Sequence, residues 1–141
     1  MKGIKQKRIA LLLCFVLAFG MSITASARAS NYIDSVNAFV TAVGSGSLRI
    51  KLTVIGTKTM TELGFDKVIV YEKKSDGNYQ PVRTITKESD PTLFTKNRVS
   101  HTVYISHHGT PGKYYYVTAH CYAKDVSGSS GTWIGSNAAK A

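Results

Sequence analysis

The feature that most constrains this chain is a strict alternation of apolar and polar residues, recurring in short segments, that fits an extended backbone and no helix. Leu48, Ile50, Leu52 and Val54 alternate with Arg49, Lys51 and Thr53, behind the turn residues Gly44-Ser45-Gly46. Successive side chains of a strand point to opposite faces, so this segment has one core face and one solvent face. Over residues 113–124, Tyr115, Val117, Ala119, Cys121 and Ala123 share one face, and Tyr114, Tyr116, Thr118, His120 and Tyr122 share the other. A weaker alternation through Val36, Ala38, Val40 and Ala42 predicts a first strand over residues 34–43. Residues 67–74, rich in β-branched and aromatic types, and residues 79–86 predict a hairpin across Ser75-Asp76-Gly77-Asn78, where glycine can take a positive φ. Pro81 has no amide hydrogen to donate, which puts its strand at a sheet edge or starts it after the proline. Residues 87–97, with Asp90-Pro91, read as a crossing loop, and residues 98–106 as a strand through Val99, Val103 and Ile105. His107-His108-Gly109-Thr110-Pro111-Gly112 reads as a turn, residues 126–131 as a Ser/Gly loop, and residues 132–138 as a short last strand holding Trp133 and Ile134. Seven such strands with turn chemistry between them predict an all-β, antiparallel β-sandwich.

Ahead of the strands, residues 1–27 have the makeup of a secretory signal helix. Basic residues run from Lys2 to Arg8, an apolar run from Ile9 to Ile23, and Ala25-Ser26-Ala27 offers a cleavage site, with Ala29 allowing a second. The apolar run is shorter than the roughly 20 residues that a permanent spanning helix needs. Cys14 follows Leu11-Leu12-Leu13, where a lipoprotein signal would place small residues, and so belongs to the apolar run. The expected product is one secreted domain, residues 28–141, that meets the membrane only during export. The four basic and no acidic residues of the first 27 leave with the signal, taking the net charge from +10 to +6. Cys121 is then the only thiol, so no intramolecular disulfide forms, and its apolar strand neighbours predict burial as a small hydrophobe.

The order of elements, with a hairpin at Ser75-Asp76-Gly77 and a late Tyr115-x-Val117-x-Ala119 strand, resembles the immunoglobulin-like and fibronectin type III sandwiches. That resemblance implies a structural role for Tyr115, whose hydroxyl would bond back to nearby backbone as a tyrosine corner. The immunoglobulin cysteine pair and the early tryptophan of type III modules are absent. The stretches Val70-Tyr71-Glu72-Lys73, Gly112-Lys113-Tyr114-Tyr115 and Cys121-Tyr122-Ala123 through Ser127-Gly128 resemble small exported single-sandwich proteins of Gram-positive bacteria. The likeness covers most of residues 28–141 and implies fold and export, with no catalytic residues.

Chemistry is sparse. His101, His107, His108 and His120 lack the spacing of a zinc set, and adjacent histidines on an extended chain diverge, so no metal or other cofactor is expected. His120 and Cys121 are neighbours on a strand and face opposite ways, which excludes a thiol–imidazole pair, and Asp34, Asp66, Asp76, Asp90 and Asp125 are scattered through expected turns. The expectation is a non-enzymatic protein. Tyr114, Tyr116, His120 and Tyr122 form an aromatic stripe on the outward face of the long strand, either a ligand-binding surface or rings packed on neighbouring strands. The basic residues Arg49, Lys51, Lys73, Lys74, Lys87, Lys96 and Arg98 give weak, salt-sensitive attraction to anionic wall polymers or headgroups. Export removes the ordinary nucleic-acid partner, and no recognition helix or RNA-binding motif is present. These features predict a secreted monomeric binding module for an extracellular ligand, a cell-wall polymer or a protein; the alternative is a cationic toxin or bacteriocin-like protein acting on bacterial envelopes.

Overall fold

The computed structural model describes residues 30–141. The signal helix and Cys14 lie outside the described residues. Among the described residues, nine strands follow in order: β1 (Ile33–Gly44), β2 (Ser47–Met60), β3 (Glu62–Lys73), β4 (Tyr79–Thr86), β5 (Phe94–Thr95), β6 (Arg98–His108), β7 (Tyr114–Asp125), β8 (Gly128–Gly135) and β9 (Ala139–Lys140). They form two antiparallel sheets, β1-β2-β6 and β4-β3-β7-β8, with the two-residue strands β5 and β9 added to β3 and β7. The molecule is a β-sandwich, and seven of its strands are long, as the alternation predicts.

Burial follows the pleat. On β2, Leu48, Ile50, Leu52 and Val54 are buried while Arg49 and Lys51 are exposed. Across the sandwich, Phe65, Val68 and Val70 of β3 and Tyr115, Val117, Ala119, Cys121 and Ala123 of β7 complete the core. Gly77 turns the β3–β4 hairpin at φ 86°, and Pro81 sits on β4 at the edge of its sheet, where proline is tolerated.

Four boundaries differ from the sequence reading. His107 and His108 extend β6 instead of turning: they pair with Leu48 and Ser47, and the Ser47 hydroxyl lies 3.0 Å from His108 Nδ1. The Ser/Gly segment is strand, because Asp125 Oδ1 accepts from the amides of Ser127 (2.7 Å) and Gly128 (3.1 Å) and closes a turn tight enough to start β8 at Gly128. The crossing loop carries a 3-10 turn, Pro91–Leu93, capped by the Asp90 carboxylate, and then β5. Finally, β3 begins at Glu62, and Asp66 lies within it instead of in a turn: Phe65 pairs with Cys121 and Lys67 with His120, leaving Asp66 as the extra residue of a β-bulge. Close approach of the crossing segment explains Gly64, where a Cβ would overlap the Leu93 carbonyl.

Leu52 has no exposed surface, so Leu52→Ala should destabilise the fold by about 2–5 kcal/mol in urea unfolding. The Cys121 thiol, also fully buried and pushed up in pKa by that burial, should react with a thiol reagent only as the protein unfolds. Fast labelling of the native protein would contradict the inward parity of β7.

Candidate functional site

The pleat that buries Tyr115 to Ala123 turns Tyr114, Tyr116, Thr118, His120 and Tyr122 outward, and antiparallel register supplies their neighbours. Tyr71 of β3 lies opposite Tyr116, Ile69 opposite Thr118, and Trp133 of β8 opposite His120. The Tyr71 and Tyr116 rings stack at 4.8 Å and 4°, and Tyr79 of β4 meets Tyr116 edge-on at 4.7 Å. Tyr122 stacks on Phe94 of β5 at 5.9 Å. Tyr116 and Tyr122 are therefore half-buried among rings of their own sheet, whereas Tyr114 (43% exposed) and Trp133 (52% exposed) stay open to solvent. Lysines flank both ends: Lys73 and Lys140 approach the Tyr114 ring at 5.8 and 6.0 Å, and Lys87 lies 5.2 Å over Phe94.

Between these rings the face is concave. A trough of about 500 Å³ is lined by Ile69, Tyr71, Thr118, Trp133, Ile134 and Gly135, an apolar floor between a tyrosine and an indole. On the other side of Trp133, a cleft of about 390 Å³ contains Asp66, Lys67, Lys87, Glu88 and His120. His120 Nδ1 lies 2.6 Å from Asp66 Oδ1, and its ring tilts against Trp133 at 5.2 Å. Of the aromatic stripe read from sequence, His120 thus belongs to this cleft, Tyr114 and Tyr116 to the end flanked by Lys73 and Lys140, and Tyr122 to the Phe94 stack under Lys87.

Tyr71, Trp133 and Asp66 were missed by the sequence reading. Trp133 was recoverable: a hairpin centred between Val126 and Ser127 places it opposite His120. Asp66 left no signal, because a bulge breaks the parity that sequence alternation reports.

Tyr115 and Cys121 lie on the buried side. The Tyr115 hydroxyl accepts from the Thr110 amide at 2.7 Å and donates to Glu72 Oε2 at 2.6 Å, and its ring rests on Gly109, where a Cβ would come within 2.6 Å. The other Glu72 oxygen accepts from Lys74 (2.7 Å) and Lys113 (3.1 Å). Lys74, then the Tyr115 hydroxyl, then Lys113 hold the Glu72 carboxyl down at about 2 against the opposing cost of burial. The neighbouring His107 ring lies 5.4 Å from Tyr115, and burial followed by the Arg83 charge lowers its pKa. Asp125 is likewise held well below the carboxylate range, chiefly by Lys58. Cys121 is buried on the face opposite His120, so the two do not form a nucleophile–base pair. Among the described residues, no group of three or more His, Cys, Asp or Glu side chains converges to hold a metal.

A carboxyl depressed in the folded state stabilises it above its unfolded pKa. The Glu72 contribution is complete above about pH 4.5 and is lost as pH falls toward about 2. Glu72→Gln should therefore flatten the acid limb of a stability–pH profile measured by urea unfolding, and an unchanged slope would contradict the assignment. No protein-family model matches this chain, and no curated protein matches it either.

Proposed function

We propose that this chain is an exported, non-catalytic, immunoglobulin-like module that holds an extended saccharide polymer of a cell envelope along the outer face of its larger sheet. The observation that carries the reading is the aromatic face with its open trough between Tyr71 and Trp133. Sugar rings present flat C–H faces and hydroxyl edges, so an exposed indole can stack on the former while the Thr118 hydroxyl meets the latter. From Tyr114 to Tyr122 the face runs about 26 Å at ~3.3 Å per residue, room for several rings in line. Flanking lysines add attraction to anionic wall polymers, a secondary contribution because it is screened by salt. The signal-like residues 1–27 support export, and the bond from the Thr110 amide to the Tyr115 hydroxyl, five residues on, supports the immunoglobulin-like assignment.

Co-sedimentation of the purified protein with isolated Gram-positive cell walls tests this. Retention should persist at about 1 M salt, where the Debye length is about 3 Å. It should fall about tenfold, a loss of about 1.4 kcal/mol, in Trp133→Ala. Phe39→Ala, which removes an exposed ring from the opposite sheet (55% exposed), should leave retention unchanged. Retention that vanishes with salt alike in wild type and Trp133→Ala would mean that charge alone attracts the protein, and would overturn the reading.

A further inference from the structure

The cleft beside Trp133 is more specific than the trough. A regular β3 would place Asp66 opposite His120; the bulge puts Lys67 there and frees the Asp66 carboxylate to meet the imidazole from the side, at 2.6 Å from Nδ1. A carboxylate can only accept, so Nδ1 is the nitrogen that donates to Asp66, and in the Nδ1–H tautomer Nε2 is an acceptor. Among the described residues, the hydrogen bonds of His120 use Nδ1 alone. Gly131 on β8 leaves room for this ring edge: a Cβ there would lie 2.8 Å from Cε1 and 3.0 Å from Nε2. The bulge thus meets Nδ1, the glycine lies against Cε1 and Nε2, and the indole tilts against the ring.

The cleft offers a ligand three things. Nε2 accepts, the ammonium groups of Lys67 and Lys87 donate, and the Trp133 indole gives an apolar wall. Its formal charges balance, Lys67 and Lys87 against Asp66 and Glu88, which favours a neutral group over an anion. A bare hydroxyl offers no carbonyl to the lysines and no apolar group to the indole. A secondary amide carrying a methyl group matches all three: its N–H donates to Nε2, its carbonyl accepts from a lysine, and its methyl covers the indole.

The geometry points to this cleft as a subsite for the acetamido group of an N-acetylated aminosugar, with His120 reading the amide N–H and Asp66 fixing the tautomer that lets it do so. Asp66 is a positioning residue, acting through His120. The inference rests on the saccharide reading above and adds the identity of the sugar.

Calorimetric titration of the purified protein with two soluble β-1,4-linked hexasaccharides tests it, one of N-acetylglucosamine and one of glucose. The acetylated chain should bind tighter by about tenfold or more, since the glucose chain has neither the carbonyl for a lysine nor the methyl for the indole. His120→Phe keeps an aromatic ring and removes the acceptor, Asp66→Asn releases the tautomer, and Gly131→Ala covers the ring edge. In each, the preference should fall to within about twofold while binding to the glucose chain changes little. A purely structural role for these residues would instead weaken both ligands together, and that result overturns the proposal. Equal affinity of the wild type for both chains overturns it as well and leaves the saccharide reading standing. Binding to neither chain, together with loss of aromatic-dependent retention on cell walls, overturns both.

Discussion

One strand's pleat parity sets both the interior and the outer surface of this protein. Along β7, five inward side chains from Tyr115 to Ala123 are fully buried or nearly so, and the alternate positions from Tyr114 to Tyr122 lie outside. Because the side-chain period is two, a slip of one residue would put the tyrosines into the core and the small apolar residues into water. Register is therefore held at several points. The Asp125 carboxylate closes the turn into β8, and the Tyr115 hydroxyl ties β7 to Glu72 of β3 and to the backbone at Thr110. The paired lysines Lys74 and Lys113 make burial of the Glu72 charge tolerable by supplying its remaining partners.

The same parity explains what could be read from the sequence. Strands with one core face and one solvent face, such as β2 and β7, announce themselves by alternation, and the edge position of β4 follows from Pro81. Two kinds of element escape that logic. β8 is built largely of Ser and Gly on its first half, a composition that ordinarily marks a loop; here Gly131 is small because His120 occupies the space a side chain would need. β3 conceals its first half because the bulge at Asp66 shifts the pattern by one, so Phe65 and Val68 are both buried although they are three residues apart. The Gly- and Pro-rich neighbours of His107 predict a turn, yet its ring lies beside Tyr115 and the strand continues through it.

The departures in β3 and β8 fall where the candidate site is. Alternation along one strand found Tyr114, Tyr116, His120 and Tyr122, but the site is a property of neighbouring strands: Tyr71 and Trp133 come from β3 and β8, and Asp66 from an irregularity. Tyr71, Tyr79 and Tyr116 pack on one another and Tyr122 on Phe94, while Trp133 stands between the trough and the cleft and contributes to both. In the proposed saccharide reading, Asp66 and His120 add hydrogen-bonding direction to a surface that stacking alone would leave undiscriminating.

The central claim is that ligand meets the outer face of the larger sheet. Amide and indole chemical shifts of the isotopically labelled protein, followed by NMR during titration with soluble cell-wall glycan fragments, report on that directly. The account expects the largest changes at the Trp133 indole N–H and at Ile69, Tyr71, Thr118 and His120, with β1, β2 and β6 undisturbed. Changes centred instead on Phe39, Lys51 and Tyr104, which share a cross-strand row on the smaller sheet, would contradict it.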